Sequence, residues 1–315
     1  MGVLSLRSLA FRCCLLLITT FITQATAENN AQNYHYFCDY NHRGNYTGNS
    51  TYSTNLNTLL STLTSNKEID YGFYNFTYGQ NGDKVNAIGL CRGDVKPDEC
   101  RACLNGSRAN LTQLCPNRKE AIGWYEDEKC MLRYSDRSIF GLNEIGPAYF
   151  AWSVNNATQV EQFNKMVKSL LDELKGKAAS GNSRYKYATG NMSGPDNQHV
   201  YGLVQCTPDL SESDCDKCLV QSITKDIPNC CSNRIGARIV RPSCNLRFEA
   251  SSFYGPPAYA YASSPLPSSS LSPLPSPAAS TASNNTEDKG NTSGTEVAIV
   301  PLLLLLLCSF LFVSV

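Results

Sequence analysis

"CRGDVKPDECRACL", residues 91–104, and "CTPDLSESDCDKCL", residues 206–219, share one spacing, Cys-x8-Cys-x2-Cys-Leu. Whether these cysteines hold zinc, cycle as a redox dithiol or form disulfides decides what fold the chain can build. The compartment discriminates between the three. Residues 1–27 read as a secretory signal peptide: Arg7 and Arg12 give a basic start, "CCLLLITTFI" a short apolar run, and Ala25-Thr26-Ala27 a small-x-small cleavage site before Glu28. An exported chain meets an oxidising milieu in which paired cysteines persist as disulfides. Zinc also lacks ligands, because the only histidines are His35, His42 and His199. No βαβ pattern surrounds the Cys-x2-Cys pair, as a thioredoxin-type dithiol would require. The repeat reads as a disulfide framework.

Cysteine counting agrees. Of the 15 cysteines, Cys13 and Cys14 lie in the signal peptide and Cys308 near the C-terminus, which leaves 12. They divide into Cys38, Cys91, Cys100, Cys103, Cys115 and Cys130, and Cys206, Cys215, Cys218, Cys230, Cys231 and Cys244. In the chain-entropy model a crosslink closing a loop of tens of residues contributes about 3–4 kcal/mol, so such staples rival the whole stability of a small domain.

Other landmarks repeat in the same order. "IGLC" (88–91) answers "YGLVQC" (201–206), "IGWY" (122–125) answers "IGAR" (235–238), and "CMLRY" (130–134) answers "CNLRF" (244–248). An internal duplication predicts two tandem domains, set at 34–140 and 155–254. Ahead of each cluster runs a helical stripe: Leu56, Leu59, Leu60 and Leu63, then Val160, Phe163, Met166, Val167, Leu170, Leu171 and Leu174. A second, shorter helix carrying the Cys-x2-Cys pair is expected near Asp98 and near Glu212. Tyr, Phe and Val alternation predicts strands in "YGFYNFTYG", "AIGWYEDEKCMLRYS" and "PAYFAWSV" for the first unit, and in "RYKYATGN", "ARIVRPSCNLRFE" and "PAYAYAS" for the second. The fold class is α+β: two tandem disulfide-rich domains, each with two helices packed on a small antiparallel sheet.

Residues 263–296 are rich in Ser, Pro, Thr and Ala and carry too little apolar surface to fold, which reads as an extended stalk. Residues 297–315 form an uncharged apolar tail with no basic residue after it. That pattern fits a GPI-attachment signal with Ser283, Asn284 and Asn285 as candidate attachment sites; a retained membrane helix is the alternative. N-glycosylation sequons stand at Asn45, Asn49, Asn75, Asn105, Asn110, Asn156, Asn191, Asn284 and Asn291. Together these place the protein on the outer face of the plasma membrane or in the surrounding matrix.

Function classes narrow by what is missing. Lys plus Arg and Asp plus Glu number 27 each, so no net field draws nucleic acid or a membrane surface. No nucleophile elbow, phosphate loop or paired-carboxylate pattern points to an enzyme, and no cofactor or metal is implied. Arg92-Gly93-Asp94 spells an adhesion tripeptide, which reads as coincidence inside a cysteine loop.

The doubled Cys-x8-Cys-x2-Cys, "IG" and "C-x-x-R-[YF]" landmarks, spread over about residues 34–254, resemble the plant ginkbilobin-homologous, or stress-antifungal, domain. The layout is similar to the plant cysteine-rich repeat secretory and plasmodesmata-located proteins, so plasmodesmata become a possible address. The resemblance implies bridges Cys38–Cys115, Cys91–Cys100 and Cys103–Cys130, then Cys206–Cys215 and Cys218–Cys244. It leaves Cys230 and Cys231 without the partner that Cys38 provides in the first unit, so either a vicinal bond or a rearranged set is open. It also implies a mannose clamp: an Asn after the first Cys, the Arg of "IGAR" and a Glu after the last Cys. The first unit has Asp39, Tyr125 and Ser135 at those places; the second keeps Arg238 and Glu249. Arg238 and Glu249 are therefore candidate carbohydrate-binding residues, or else a structural salt bridge across adjacent strands. The expected function is non-enzymatic recognition in stress, defence or cell-to-cell signalling, with a cell-surface receptor, another extracellular protein or a cell-wall glycan as partner. A mannose-binding antifungal lectin and an extracellular thiol-redox sensor are the alternatives.

Overall fold

Alternation builds both sheets, and helices cover one face of each. The computed structural model describes residues 34–65 and 70–258, all within one unit, Asn33–Pro265. The signal peptide, the stalk, the apolar tail, Ser283, Asn284, Asn285 and Asn291 lie outside the described residues, as does nearly all of "PAYAYAS". Among the described residues no helix is long and apolar enough to cross a membrane.

In the first half the elements are β1 (His35–Cys38), α1 (Thr51–Thr62), β2 (Phe73–Tyr78), β3 (Val85–Cys91), α2 (Pro97–Leu114), β4 (Ala121–Tyr125) and β5 (Cys130–Ser135). The sheet order is β1-β4-β5-β3-β2, antiparallel throughout. The second half gives β6 (Tyr149–Trp152), α3 (Val160–Ala179), β7 (Tyr187–Ser193), β8 (His199–Cys206), α4 (Glu212–Gln221), a π-helical turn (Ser222–Asp226), α5 (Ile227–Cys230), β9 (Gly236–Val240) and β10 (Cys244–Glu249). Its order is β6-β9-β10-β8-β7, the same topology.

Local chemistry sets the helix starts. Ser50 caps α1 by accepting from the Ser53 N–H at 3.2 Å, and Ser211 caps α4 by accepting from Asp214 N–H at 3.1 Å. Pro97 opens α2, with Asp98 and Glu99 in the first turn where the helix dipole favours anions. Two sequence expectations need correction. The Cys-x2-Cys helix of the first half is the longer one, 18 residues against 12 for α1, because Leu104, Ser107 and Leu111 carry its buried face on past the cysteines. The strand in "PAYFAWSV" belongs to the second sheet, where Tyr149 to Trp152 pair with Val240 to Ala237. That stretch is edge-strand chemistry in either sheet, and only the pairing decides.

Along β5, Cys130, Leu132 and Tyr134 join the helix-side core with Leu56, Leu59, Leu60, Leu104 and Leu111, while Met131 points the other way. Along β10, Cys244, Leu246 and Phe248 pack on Phe163, Leu170, Leu171 and Leu219. Gly89 and Gly202 let the helices press close, since a Cβ there would meet Leu63 and Leu104, or Leu170 and Leu174. The bridges are Cys38–Cys115, Cys91–Cys100, Cys103–Cys130, Cys206–Cys215, Cys218–Cys244 and Cys230–Cys231.

The opposite faces differ. That of the first sheet is buried and mostly apolar: Phe73, Ile88, Leu90, Ile122, Trp124 and Met131 cluster with Ile139 and with Val240 of the second sheet, and buried Arg133, opposite Ile88 and Ile122, pairs with Glu144. That of the second sheet mixes Val240 and Leu203 with Gln205, Arg238, Arg247 and Glu249. Gln205 donates to the Cys91 carbonyl at 2.9 Å, and His35 stacks on Tyr149 at 3.5 Å between ring centres. The connecting segment is tied down too: the Gly141 N–H donates to Asp209, and Glu144 N–H to Ser243, both at 2.7 Å. The two sheets therefore form one body, joined through their helix-free faces.

Candidate recognition site

Arg238 and Arg247 stand directly opposite each other on β9 and β10. Two like charges facing across neighbouring strands repel unless something sits between them. The β4–β5 hairpin supplies it. Asp127 pairs with both guanidiniums, with Arg247 at 2.9 Å and with Arg238 in a close ion pair, and Glu128 accepts from Arg238 at 2.9 Å. Arg247 also reaches Glu249 at 2.9 Å. Glu126, Asp127 and Glu128 have φ of +50°, +56° and +61°, so three successive non-glycine residues occupy the left-handed region. Each costs on the order of 1 kcal/mol, and the two arginines are the evident compensation. Glu126 is exposed and its side chain pairs with Lys129 at 3.6 Å. Glu126→Gly is therefore expected to raise unfolding free energy by about 0.5–1 kcal/mol in urea denaturation; a loss would count against strain at this turn.

Burial pushes the Glu128 carboxyl up from its ordinary value of 4.5, and Arg238 only partly offsets this. Burial acts on Asp127 in the same sense, but Arg247 and Arg238 outweigh it and hold that carboxyl below 3.8. The consequences are opposite. Folded Glu128 binds its proton more tightly than unfolded, so its contribution is fully present below 4.5 and is lost as pH rises through the raised value. Asp127 contributes above 3.8 and loses this as pH falls through its lowered value. Between neutrality and pH 4.5, stability relative to wild type is expected to fall on acidification in Glu128→Gln, because the variant lacks the contribution that wild type gains as Glu128 takes up its proton. Urea unfolding at a series of pH values measures it, and parallel curves would sink the assignment.

Beside this network opens a cleft of about 350 Å³ lined by Asp127, Trp152, Ser153, Arg238, Arg247 and Glu249. Trp152, 47% exposed, forms one wall. Gly236 lies opposite Glu249, where a Cβ would collide with the carboxylate. The structure thus brings Arg238 and Glu249 to one cleft but does not pair them; Arg247 and Asp127 stand between. The salt bridge expected between Arg238 and Glu249 is replaced by this four-residue chain, because the register sets Arg238 opposite Arg247. In the first unit the corresponding residues make contacts within the fold. The Asp39 carboxylate accepts from the Gly44 N–H at 2.9 Å, Tyr125 packs edge-on to Tyr34, and buried Ser135 accepts from the Arg137 N–H at 3.3 Å.

The missing first cysteine of the second unit has a definite replacement. Cys38 lies opposite Ala121, just before the "IG" of β4, and Asn156 lies opposite Arg234, just before the "IG" of β9. Asn156 is a sequon asparagine whose side-chain oxygen accepts from Arg234 at 2.9 Å. Ala157 follows it, so no Asn completes the clamp. Of the sequons within the described residues, Asn45, Asn49, Asn75, Asn105, Asn156 and Asn191 are exposed and Asn110 is half-buried. Among the described residues no group of three His, Cys, Asp or Glu is arranged to hold a metal. Asp127, Glu128 and Trp152 were not legible as site residues. The one available signal was charge: "EDEK" in a hairpin, and two arginines at alternate-face positions of later strands.

The salt stress response/antifungal family model matches residues 37–137 and 151–251. The chain is 40% identical over 185 residues to the antimicrobial ginkbilobin-2-like protein of Castanea crenata, covering 59% of this chain and 75% of that one. It is 38% identical to the cysteine-rich repeat secretory protein 38 of Arabidopsis thaliana, covering 56% and 69%. It is 40% identical to the cysteine-rich receptor-like protein kinase 29 of Arabidopsis thaliana, covering 82% of this chain but 39% of that one; against two further receptor-like kinases it spans about 30% of their length. The crystal structure of the tandem DUF26 ectodomain of the Arabidopsis thaliana receptor-like protein PDLP8 is similar with a TM-score of 0.60 and 26% identity, over 69% of this chain and 98% of that one.

Proposed function

The chain belongs to the salt stress response/antifungal family, and on that premise we propose that it is a plant cell-surface recognition protein without enzymatic activity, acting in defence, stress or cell-to-cell signalling by binding another extracellular protein. The observation that carries this reading is the occupation of Arg238 and Arg247 by Asp127 and Glu128. Guanidiniums already paired to carboxylates offer a neutral sugar little, whereas a fused two-sheet head presents a wide, rigid surface. The apolar tail would hold that head at the membrane by a lipid at Ser283, Asn284 or Asn285, or as a helix; release from cells by phosphatidylinositol-specific phospholipase supports the lipid, and persistence in the membrane pellet supports the helix.

A second reading is favoured by one feature. Trp152 beside Ser153 and Glu249 gives the cleft an aromatic wall next to hydrogen-bonding groups, the combination on which sugar rings stack. Calorimetric titration of the enzymatically deglycosylated secreted protein with mannose oligomers separates the two. Saturable binding lost in Trp152→Ala and Glu249→Gln moves the function to glycans. No heat at millimolar sugar leaves protein recognition.

A further inference from the structure

Five of the six bridges among the described residues close loops of 9 to 77 residues and so restrict the unfolded chain. Cys230–Cys231 has a sequence separation of 1 and closes none. It therefore contributes no chain-entropy stabilisation of the kind the other five supply. Its Cα atoms stand 3.7 Å apart, where unstrained bridges span about 4.4–6.8 Å. A single peptide unit fixes consecutive Cα atoms at about 3.8 Å, so the backbone cannot relax towards that range. The pairing follows from Asn156 standing where the first unit has Cys38: Cys230 has no distant partner to reach. Position matters as well. Cys230 ends α5 and is half-buried, whereas Cys231 is only 2% exposed. The same turn walls a groove of about 350 Å³ lined by Val167, Lys168, Ile223, Ile227, Pro228 and Ser232.

We propose that Cys230 is a site of reversible thiol exchange with low-molecular-weight thiols of the glutathione class, and that its state shapes the groove beside α3. The thiolate of the small molecule attacks Sγ of Cys230, the more exposed sulfur. The Cys230–Cys231 bond breaks, a mixed disulfide forms on Cys230, and Cys231 leaves as a thiolate that takes a proton. The count of S–S bonds is unchanged, so no external oxidant or reductant enters. The reverse attack by Cys231 on the mixed disulfide is intramolecular and expels the small thiol. With the bridge open, Ile227 to Ser232 lose their covalent clamp while Cys206–Cys215 and Cys218–Cys244 still hold α4 to β8 and β10. The site is independent of whatever the cleft beside Trp152 binds.

The test uses the secreted full-length protein, incubated folded with graded glutathione, acid-quenched, alkylated and mapped by mass spectrometry. Glutathione on Cys230 and an alkylated Cys231 are expected at a thiol concentration about tenfold below that which opens any other bridge, with the near-ultraviolet circular dichroism of the core retained. Opening of Cys230–Cys231 only together with the other bridges, or only after that signal is lost, overturns the proposal. So does a bond that stays closed while the others open.

Discussion

Replacing Trp124 by alanine is expected to lower the unfolding free energy by about 3–5 kcal/mol and the melting temperature by roughly 6–20 °C. Trp124 is 2% exposed, edge-on to Phe37 at 6.3 Å, and packed with Ile122, Met131 and, from the second sheet, Val240. Its loss opens a cavity in the layer that joins the two sheets, and a layer built from strand side chains on a fixed backbone collapses little. Trp152 is the internal control. It is 47% exposed at the cleft, so Trp152→Ala is expected to stay within about 0.5 kcal/mol of wild type. Thermal denaturation followed by far-ultraviolet circular dichroism compares the two. A Trp124→Ala loss below about 1.5 kcal/mol would mean that the helix-free faces do not form a packed core.

That contrast also marks how far the sequence can be read. Both tryptophans sit in strand-like stretches, "IGWYEDE" and "YFAWSV", and alternation alone puts each on one face without saying which face is covered. The duplication, the helical stripes and the cysteine count were legible because each is read from residue identities and their spacing along the chain alone. The joining layer was not, since it depends on two sheets meeting face to face. The remaining residues of the cleft were hidden for the same reason. Arg238 and Glu249 could be named as candidates from their landmarks, but Asp127 and Glu128 lie more than a hundred residues away from Arg238. Only the register that sets Arg238 opposite Arg247 shows why an acidic hairpin must come between them. Likewise the empty place of the first cysteine could be noticed in the sequence, whereas its occupation by Asn156 required the pairing with Arg234.

The Cys38→Ser, Cys115→Ser double variant carries the other large expectation. The bridge has a sequence separation of 77, the longest among the described bridges, and the chain-entropy model assigns such a loop about 4–5 kcal/mol against about 2–3 for the nine-residue span of Cys91–Cys100. It ties β1 to the end of α2, and β1 is an edge strand of four residues held on one side only, by β4. The second unit does without this bridge: β6 is equally short and Asn156 takes the cysteine's place. Its compensation is apolar. Helix α3 runs 20 residues and buries Phe163, Met166, Val167, Leu170, Leu171, Leu174, Ala178 and Ala179, where α1 runs 12 and buries Ser53 and Asn55 among its apolar residues. Removing the long bridge thus leaves the first unit with neither the staple nor the larger core, and the expected loss of about 4–5 kcal/mol should fall there. Amide hydrogen exchange would register it as faster exchange in β1 and α1 with β7 and β8 unchanged. A loss under about 1 kcal/mol, or equal acceleration in both halves, would mean that the shared layer around Trp124, and not the disulfide, fixes the first unit.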